Sequence, residues 1–514
     1  MTHWIILPVL LPALVAPFIV LAARYHIGIQ RVFSVAGVMA LIAVTAGLTW
    51  QASNGTITLY QLSDWAAPFG IVLVGDRLST MMVLLTSILA FIVLLYAIGS
   101  GWDNRGRHFH ALFQFQLMGI MGAFMTGDLF NLFVFFEVLL IASYGLMIHS
   151  GGNTRLRAGV QYVLFNLVGS TLFLFALGSI YAETGTLNMA DLAQRVTAID
   201  MSETVGIRVA AVLLLLVFAI KAALVPLHFW LPSSYAEAPA PVAALFAIMT
   251  KVGAYAIIRV YTMIFPPDLE VTAGLHGDWL LMAALLSVAI GAVGLLAARK
   301  LDRLVTFSVI GSMGMVMVTI SLFTPESTAA ALYYIIHSTF AAAALFLIVD
   351  MVKSSRADLK LVPMPSISGA VLVSALFFVS AIAMAGLPPL SGFLGKLLVL
   401  QASFSTQAMA WVFGVVLLSS LVNVVGFSRA GSILFWKAKS VARATDEPAG
   451  TAPANLSYVA VGGLVALLIL LTIFAGPIHK YMTATAQQLY APEPYISTVL
   501  ETPGKLSKPK AGDH

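Results

Sequence analysis

The sequence contains no cysteine and very little charge. Only 10% of its 514 residues are Asp, Glu, Lys or Arg, whereas 60% are hydrophobic, and the mean hydropathy is +0.96. A soluble protein of this length carries far more charge on its surface, so the composition predicts an integral membrane protein. Without cysteine, disulfides, thiolate metal sites and cysteine-held iron–sulfur clusters are excluded. Any redox chemistry must therefore belong to a partner, and we expect no cofactor or metal.

Two further features are missing. The net charge of +5 comes from lysines and arginines placed mainly in loops, so we expect no nucleic-acid-binding surface. The N-terminal stretch "MTHWIILPVLLPALVAPFIVLAAR" has neither a basic leading segment nor a clear cleavage site. Signal peptides usually have both. We therefore interpret this stretch as a retained first membrane span.

Long apolar runs recur along the whole chain and predict fourteen membrane-spanning helices. About 20 apolar residues are needed to cross the hydrocarbon layer. The predicted spans are Trp4–Ala23, Val32–Trp50, Leu78–Ile98, Phe109–Thr126, Leu129–Ile148, Ala158–Tyr181, Val205–Val225, Pro239–Tyr261, Trp279–Ala298, Leu304–Phe323, Thr328–Val349, Ile367–Ser403, Ala408–Phe427 and Leu456–Phe474. The fold class is therefore an all-α integral membrane protein.

Basic residues are concentrated in alternate loops, which predicts the orientation of the chain. One side carries 16 of them, namely Arg24, Arg31, Arg105, Arg107, Arg155, Arg157, Arg299, Lys300, Arg303, Lys353, Arg356, Lys360, Arg429, Lys437, Lys439 and Arg443. The opposite loops are predicted to hold only Arg77, Arg195, Arg208 and Arg259. Lysine and arginine accumulate on the cytoplasmic side of membrane proteins. Fourteen spans then place both termini outside a bacterial inner membrane.

Five titratable side chains remain in or at the ends of the spans: Glu137, Lys221, Lys251, His337 and Lys396. We expect no arginine among them. A charged group at mid-membrane costs about 2.5–3.5 kcal/mol on insertion scales. Each residue singly also has a structural interpretation: a lysine that reaches the interface, a structural Glu–Lys pair or a satisfied histidine. Five such groups together favour a pathway for ion transfer.

Two spans contain sequence features that interrupt helices. The stretch "AIKAALVPLHFWLP" places Pro226 after Lys221, and "MAGLPPLSGFLGKLL" places Pro388 and Pro389 before Lys396. Proline removes a backbone donor and frees a carbonyl. Paired interrupted spans in two halves of a chain indicate an inverted repeat and its transport site. A simple proline kink is the structural alternative.

These residues carry a resemblance to a known family. "DLFNLFVFFEVLLIASYGL", "KAALVPLHFWLP", "AEAPAPVAALFAIMTKVGAYAIIRV", "YYIIHSTFAAAALF" and "AGLPPLSGFLGK" resemble the antiporter-like subunits of Mrp sodium/proton antiporters, respiratory complex I and membrane hydrogenases. The length and the tail from Ala484 to Leu500 are most similar to the D-type Mrp subunits. The resemblance implies N-terminal helices 1–3 in residues 1–108 and two inverted five-helix repeats in 109–265 and 266–430, with helices 7 and 12 broken. A cytoplasmic loop, helix 14 and an outside tail follow in 431–514.

The resemblance also implies roles for the five residues. Glu137 would form a switchable ion pair with Lys221, Lys251 would be the central proton carrier, His337 would link the halves, and Lys396 would be the terminal carrier towards the outside. The expected function is proton translocation in a multisubunit sodium/proton antiporter, which is a transporter rather than an enzyme. The expected partners are other Mrp subunits, H+, Na+ and membrane lipid. Whether sodium crosses this chain or a partner stays open.

Two other functions remain possible at this level. The chain would serve a redox-driven pump if it belonged to a complex I-like NADH:quinone oxidoreductase or a membrane hydrogenase. It would be a scaffold if it had no ion path of its own. Neighbouring genes distinguish the first alternative, and replacement of Lys251 tests the second.

Overall fold

The computed structural model of the protein is almost entirely helical. It describes residues 2–201, 204–275, 277–356, 358–441 and 452–505, so Arg443 lies outside the described residues. The helices are α1 (Leu7–Ala22), α2 (Ile27–Ser53), α3 (Arg77–Gly99), α4 (Phe109–Met125), α5 (Leu129–Met147), α6 (Asn153–Thr184), α7 (Met189–Thr197), α8 (Val205–Lys221), α9 (Trp230–Glu237), α10 (Ala240–Met263), α11 (Gly277–Ala297), α12 (Leu301–Ile320), α13 (Pro325–Arg356), α14 (Ala370–Ala385), α15 (Ser391–Ser403), α16 (Met409–Gly431), α17 (Asn455–Ile473), α18 (Ala475–Leu489) and α19 (Glu493–Glu501).

The predicted class, an all-helical multi-pass membrane protein, is confirmed. Among the described residues, eleven helices are long and apolar enough to cross a membrane, and two shorter apolar helices, α4 and α14, accompany them. Backbone groups in lipid must be hydrogen-bonded internally, which a helix achieves within a single segment. The apolar runs therefore form helices whatever their individual helix propensities.

Local capping residues set where several helices begin. Asp76 precedes α3 and accepts a hydrogen bond from the backbone N–H of Ser79. Asp128 precedes α5 in the same way and accepts from the N–H of Asn131. The first N–H groups of a helix have no partner inside the helix, so a carboxylate at this position stabilises the helix end.

The helical conformation is interrupted at both positions marked by proline. The helix α8 ends at Lys221 and α9 begins at Trp230, while α14 ends at Ala385 and α15 begins at Ser391. The predicted span Ile367–Ser403 contains both α14 and α15, whereas the predicted span Val205–Val225 contains α8 and ends before α9. Lys221 thus ends the helix before the first break, whereas Lys396 lies within the helix after the second.

Helices α10 and α13 form the centre of the molecule. Nearly every side chain of α10 is buried, and the helix packs against α3, α8, α12 and α13. The long helix α13 packs in turn against α12, α14, α15, α17 and α18. Lys251 and His337 are carried by these two central helices, which places both far from the lipid-exposed perimeter formed by α1, α2, α6 and α16.

Some elements were not predicted from the sequence. Strands β1 (Thr58–Gln61) and β2 (Val72–Gly75) form an antiparallel hairpin between α2 and α3, with Thr58 opposite Gly75. The tail forms α18 and α19, and α19 packs against α7 and β1. Backbone hydrogen bonds also join Lys505 to Asp64 and Ala66. These contacts fasten the C-terminal segment to the loop that follows β1.

Candidate functional site

Lys221 is buried at the first break. Its ammonium donates to Oδ1 of Asn166 at 3.3 Å and lies 3.5 Å from the backbone oxygen of the same residue. Its Nζ atom is 5.9 Å from the centroid of the Phe136 ring. An uncharged amide and an aromatic face thus hold this amine; the amide oxygen can accept from it in either protonation state, whereas the aromatic face attracts only the protonated form.

Glu137 is held by α6 rather than by Lys221. Its carboxylate accepts a hydrogen bond from Ser170, which lies one helical turn beyond Asn166. In the described part of the chain no ion pair within 4.0 Å joins Glu137 to Lys221, although the two charges interact electrostatically. Glu137 is also partly exposed on the surface of the chain, whereas the other four groups are buried.

Lys251 lies near the middle of α10 and is completely buried. Its Nζ atom has no hydrogen-bond partner among the described residues, and neither has the neighbouring Thr250 hydroxyl. A buried ammonium without a partner is costly. A permanently charged group would therefore be costly at this position. An amine that accepts a proton and then releases it avoids part of that cost.

The approach of α10 to the first break requires a glycine. A Cβ atom at Gly253 would lie 2.7 Å from the backbone nitrogen of Ala222 and 3.1 Å from the carbonyl carbon of Lys221. Because Gly253 has no side chain, the end of α8 packs directly against α10. Lys221 and Lys251 are consequently carried by adjacent backbones.

His337 lies on α13 and faces the second break. Its Nδ1 atom is 2.9 Å from the hydroxyl of Ser391, the first residue of α15. Among the described residues its Nε2 atom makes no hydrogen bond of normal geometry, although the ring interacts with the backbone of Ala383. A Cβ atom at Gly392 would lie 2.9 Å from Nε2 and 1.9 Å from the carbonyl oxygen of Ala383, so only glycine leaves room for the ring. His337 interacts electrostatically with both Lys251 and Lys396.

Lys396 is bound at the second break by two neutral oxygens. Its ammonium donates to the carbonyl oxygen of Ala385 at 2.7 Å and to the hydroxyl of Ser420 at 2.8 Å. Ala385 ends α14, so its carbonyl has no partner within that helix. In the described residues Lys396 forms no ion pair with a carboxylate. The broken helix itself thus supplies a ligand for the amine.

The first break is satisfied by other groups. The indole N–H of Trp230 donates to the carbonyl of Ile220 at 3.0 Å, and Ser287 of α11 accepts the backbone N–H of Val225 at 2.9 Å. Unpaired backbone groups at membrane depth are costly. Trp230 thus binds the carbonyl beside Lys221, and Lys221 itself donates to Asn166.

The expectation that no arginine lies within the spans is wrong. Arg259 belongs to α10 and is 3% exposed. It forms a bidentate ion pair with Asp76, with Nη–Oδ distances of 2.6 and 2.8 Å, and Nη2 also donates to Ser79. The partner carboxylate lies 183 positions away, so no local pattern indicates the pair. It ties α10 to the start of α3 and leaves neither group free to move a proton.

Glu137 and Lys221 are thus hydrogen-bonded to neighbouring turns of one face of α6, and His337 interacts electrostatically with Lys251 and Lys396. The sequence pattern did not single out the polar partners Asn166, Ser170, Ser391 and Ser420. Asn166 and Ser170 are four residues apart in an apolar span, a spacing that places them on one helix face. That signal could have been used. Ser391 and Ser420 are small polar residues of a common type, and only tertiary packing distinguishes them.

Known proteins resemble this chain along nearly its whole length. Residues 126–422 match the family described as NADH:quinone oxidoreductase/Mrp antiporter, transmembrane. The chain is 38% identical to the D subunit of a Na(+)/H(+) antiporter of Alkalihalophilus pseudofirmus, over 98% of this chain and 100% of the relative. It is 37% identical to the D subunit of a probable K(+)/H(+) antiporter of Rhizobium meliloti, over 98% of both chains. Its fold is similar to a chain of the Mrp complex from Dietzia sp., with a TM-score of 0.88, 27% identity and coverage of 97% of this chain and 100% of the other.

Proposed function

This chain belongs to the NADH:quinone oxidoreductase/Mrp antiporter family of membrane proteins, and we propose that it is the proton-translocating subunit of a multisubunit monovalent cation/proton antiporter. The two full-length relatives are named for Na+ and for K+. We take Na+ as the exchanged cation, and the assay below compares it with K+. The subunit is a secondary transporter and works with the other subunits of an Mrp-type complex.

The observation that carries this proposal is the environment of Lys251. An apolar side chain would pack at this position as well as a completely buried amine without a hydrogen-bond partner, and it would cost less free energy to bury. Intramembrane ionisable groups are retained for ion paths and proton relays. Two observations support steps before and after Lys251: α10 abuts the end of α8 that carries Lys221, and His337 interacts electrostatically with Lys251.

The proton path proposed here runs from Lys221 to Lys251, His337 and Lys396, in that order. Glu137 acts as the switch. Its attraction favours the protonated form of Lys221, and a weaker attraction favours release of that proton towards Lys251. The direct Glu137–Lys221 pair belongs to another state of the cycle, because here the carboxylate accepts from Ser170 and the amine donates to Asn166.

The proposed topology has fourteen spans with both termini outside. In this arrangement α8 with α9 forms span seven, and α14 with α15 forms span twelve. Spans four to eight, in residues 109–265, and nine to thirteen, in 266–430, are the inverted repeats, and the basic loops face the cytoplasm. Because spans seven and twelve then cross in opposite directions, Lys221 and Lys396 both lie on the outer side of their breaks.

Glu137 also indicates where a partner subunit binds. It lies in an exposed stripe of α5 with Phe130, Val134 and Ile141, which are 46%, 37% and 64% exposed. A carboxylate facing lipid at mid-membrane is costly, so such groups face protein or water. We place a neighbouring subunit against this stripe, where its movement can change the distance between Glu137 and Lys221.

A redox-driven pump is the second candidate, because the family includes subunits of NADH:quinone oxidoreductases. The two full-length relatives described above are antiporter subunits, which favours antiport. The same residues would serve either function, and only the source of energy differs. Subunits that co-purify in mild detergent separate the two: small Mrp subunits support antiport, and dehydrogenase subunits contradict it.

The test is reconstitution with and without partners. Everted vesicles containing the whole complex should show a pH change on addition of Na+, with K+ and Li+ tested in parallel. Vesicles with the isolated chain should show none, because the chain is one subunit of an assembly. Vigorous antiport by the isolated chain would contradict dependence on partners, and no response to any of the three cations from the intact complex would contradict antiport.

A further inference from the structure

A cavity of about 390 Å³ lies where the end of α1, the start of α2 and the loop between α3 and α4 meet. Three arginines line it: Arg24, Arg105 and Arg107. All three side chains are exposed, and no acidic residue contributes to the wall. The cavity is separate from the ion path, which runs through the centre of the molecule.

The neighbouring carboxylates do not neutralise these arginines. Both oxygens of Asp103 accept hydrogen bonds from Arg31, at 2.6 and 3.0 Å, and one also lies 3.2 Å from His110. Within the described ranges, none of the three cavity arginines forms an ion pair with a carboxylate within 4.0 Å. The cavity thus carries three positive charges without a matching negative group.

Asp350 of α13 is a further carboxylate on this side of the molecule. It interacts electrostatically with Arg105, but its Oδ2 atom already accepts hydrogen bonds from Tyr96 at 3.0 Å and Trp102 at 2.9 Å. The guanidinium of Arg105 instead lies over the Trp102 ring, 3.9 Å from its centroid. This stacking limits the positions that the guanidinium can take and leaves its N–H groups available.

The backbone around the cavity is held in place by other contacts. The side-chain amide of Gln30 donates to the carbonyls of Ala23 and Arg24, at 3.0 and 3.1 Å, and so closes the turn between α1 and α2. The Arg31–Asp103 pair joins the start of α2 to the loop after α3. The three arginines therefore project from a framework that does not depend on a ligand.

The cavity adjoins an apolar surface that is open along the length of α1 and α2. Leu21 and Val32 are 84% and 64% exposed, and Phe18, Ile29 and Phe33 are 39%, 42% and 41% exposed. In a membrane, such a surface contacts acyl chains. The positive cavity lies at the end of that surface, so it lies at the boundary where phospholipid headgroups are found.

We propose that this cavity binds the phosphate-bearing headgroup of an anionic phospholipid whose acyl chains lie along α1 and α2. Guanidinium groups match the geometry of phosphate oxygens, and basic pockets at membrane helix ends bind anionic headgroups. A zwitterionic headgroup brings an ammonium group into a cavity that already holds three cations, so it is disfavoured. This site is independent of the proposed transport function.

The test measures lipid binding to the intact, purified complex. After detergent exchange, fluorescent phosphatidylglycerol and phosphatidylcholine are titrated separately. Arg24→Gln, Arg105→Gln and Arg107→Gln should each weaken phosphatidylglycerol binding roughly fivefold, the equivalent of about 1 kcal/mol per basic residue. Phosphatidylcholine binding should not change. Arg157→Gln, at an exposed arginine outside the cavity, is the matched control and should behave as wild type.

Three outcomes would overturn the proposal. Equal affinity for the two lipids would remove the charge requirement, and an Arg157→Gln effect as large as that of Arg105→Gln would show a general surface charge. Displacement of phosphatidylglycerol by inorganic phosphate alone would assign the cavity to a soluble anion. The thermal midpoint of each variant is measured beside wild type, so that lost binding is scored only in folded complexes.

Discussion

Lys221 and Lys396 lie at the two helix breaks and are held in different ways. Lys221 contacts the Asn166 side chain and interacts electrostatically with Glu137. Lys396 is bound by the Ala385 carbonyl and the Ser420 hydroxyl and has no carboxylate partner among the described residues. One break therefore has an adjustable charge beside its lysine, and the other has only fixed neutral acceptors.

The sequences of the two breaks are similar, but their lysines differ in whether a neighbouring charge can control protonation. A charge that moves relative to Lys221 can change how readily the lysine holds its proton. Neutral acceptors bind Lys396 in the same place in either protonation state, so they can position it without controlling it. We infer that regulation resides at the first break and that the second break provides a passive exit.

The largest effect is expected at Lys251, which lies on the central helix α10. Lys251→Arg keeps the positive charge, but a guanidinium does not release its proton. Antiport should fall by at least about tenfold, since a positioned proton-transfer group typically contributes about 10²–10⁴-fold. The measurement is the sodium-dependent pH change in everted vesicles, with Lys353→Arg, at an exposed lysine of α13, as the control. Wild-type transport by Lys251→Arg would reduce Lys251 to a fixed charge.

Removal of the adjustable charge should be nearly as severe. Glu137→Ala leaves Lys221 with Asn166 as its remaining polar partner, so the switch is lost while the fold persists. We expect near-normal expression and no antiport in the same vesicles. Glu183→Ala, at an exposed position of α6, should retain full activity. Unchanged exchange by Glu137→Ala would mean that the two breaks do not differ in the way described.

At the second break, the identity of the titratable group should matter less than its ability to titrate. Lys396→Arg should abolish antiport for the same reason as at Lys251. Lys396→Glu should retain partial activity, because a carboxyl group binds and releases protons, although the carbonyl of Ala385 is a poor neighbour for its charged form. If arginine supports transport better than glutamate, Lys396 supplies charge and carries no proton.

The neutral acceptors allow a finer test. Ser420→Ala removes one of two ligands of Lys396. Antiport should fall by about tenfold, since a hydrogen bond to a charged group contributes about 1.5–3 kcal/mol and the remaining Ala385 carbonyl keeps the loss near the lower end of that range. Ser419→Ala is the matched control, because Ser419 donates to the Val416 carbonyl as Ser420 does without contacting Lys396. Equal rates for the two variants would exclude a positioning role.

The smallest effect is expected from the donor to Glu137. Ser170→Ala removes a hydrogen bond to a carboxylate that is partly exposed, where water can replace the lost donor. Antiport should therefore change by about two- to threefold, equivalent to about 0.5 kcal/mol, the low end of the range for an ordinary hydrogen bond. Ser179→Ala, at an exposed serine of α6, is the control. A loss as large as that of Glu137→Ala would show that the serine, and not the charge, sets the switch.

Local sequence was enough to establish the class of the protein, the positions of its long helices and the two interruptions. These features depend on properties of neighbouring residues: a run of apolar residues has to be helical in lipid, and proline cannot continue a helix. The five titratable residues could also be found by elimination, because a charge in an apolar run stands out at any position.

Which groups meet depends on the packing of distant helices. Arg259 pairs with Asp76 across 183 positions, Lys396 donates to Ser420 on another helix, and Asn166 and Ser170 bind Lys221 and Glu137. Each partner is an ordinary polar residue in its own segment. Only tertiary contacts determine which polar residue becomes the partner. A sequence pattern describes neighbours along the chain, so it could not predict these pairs.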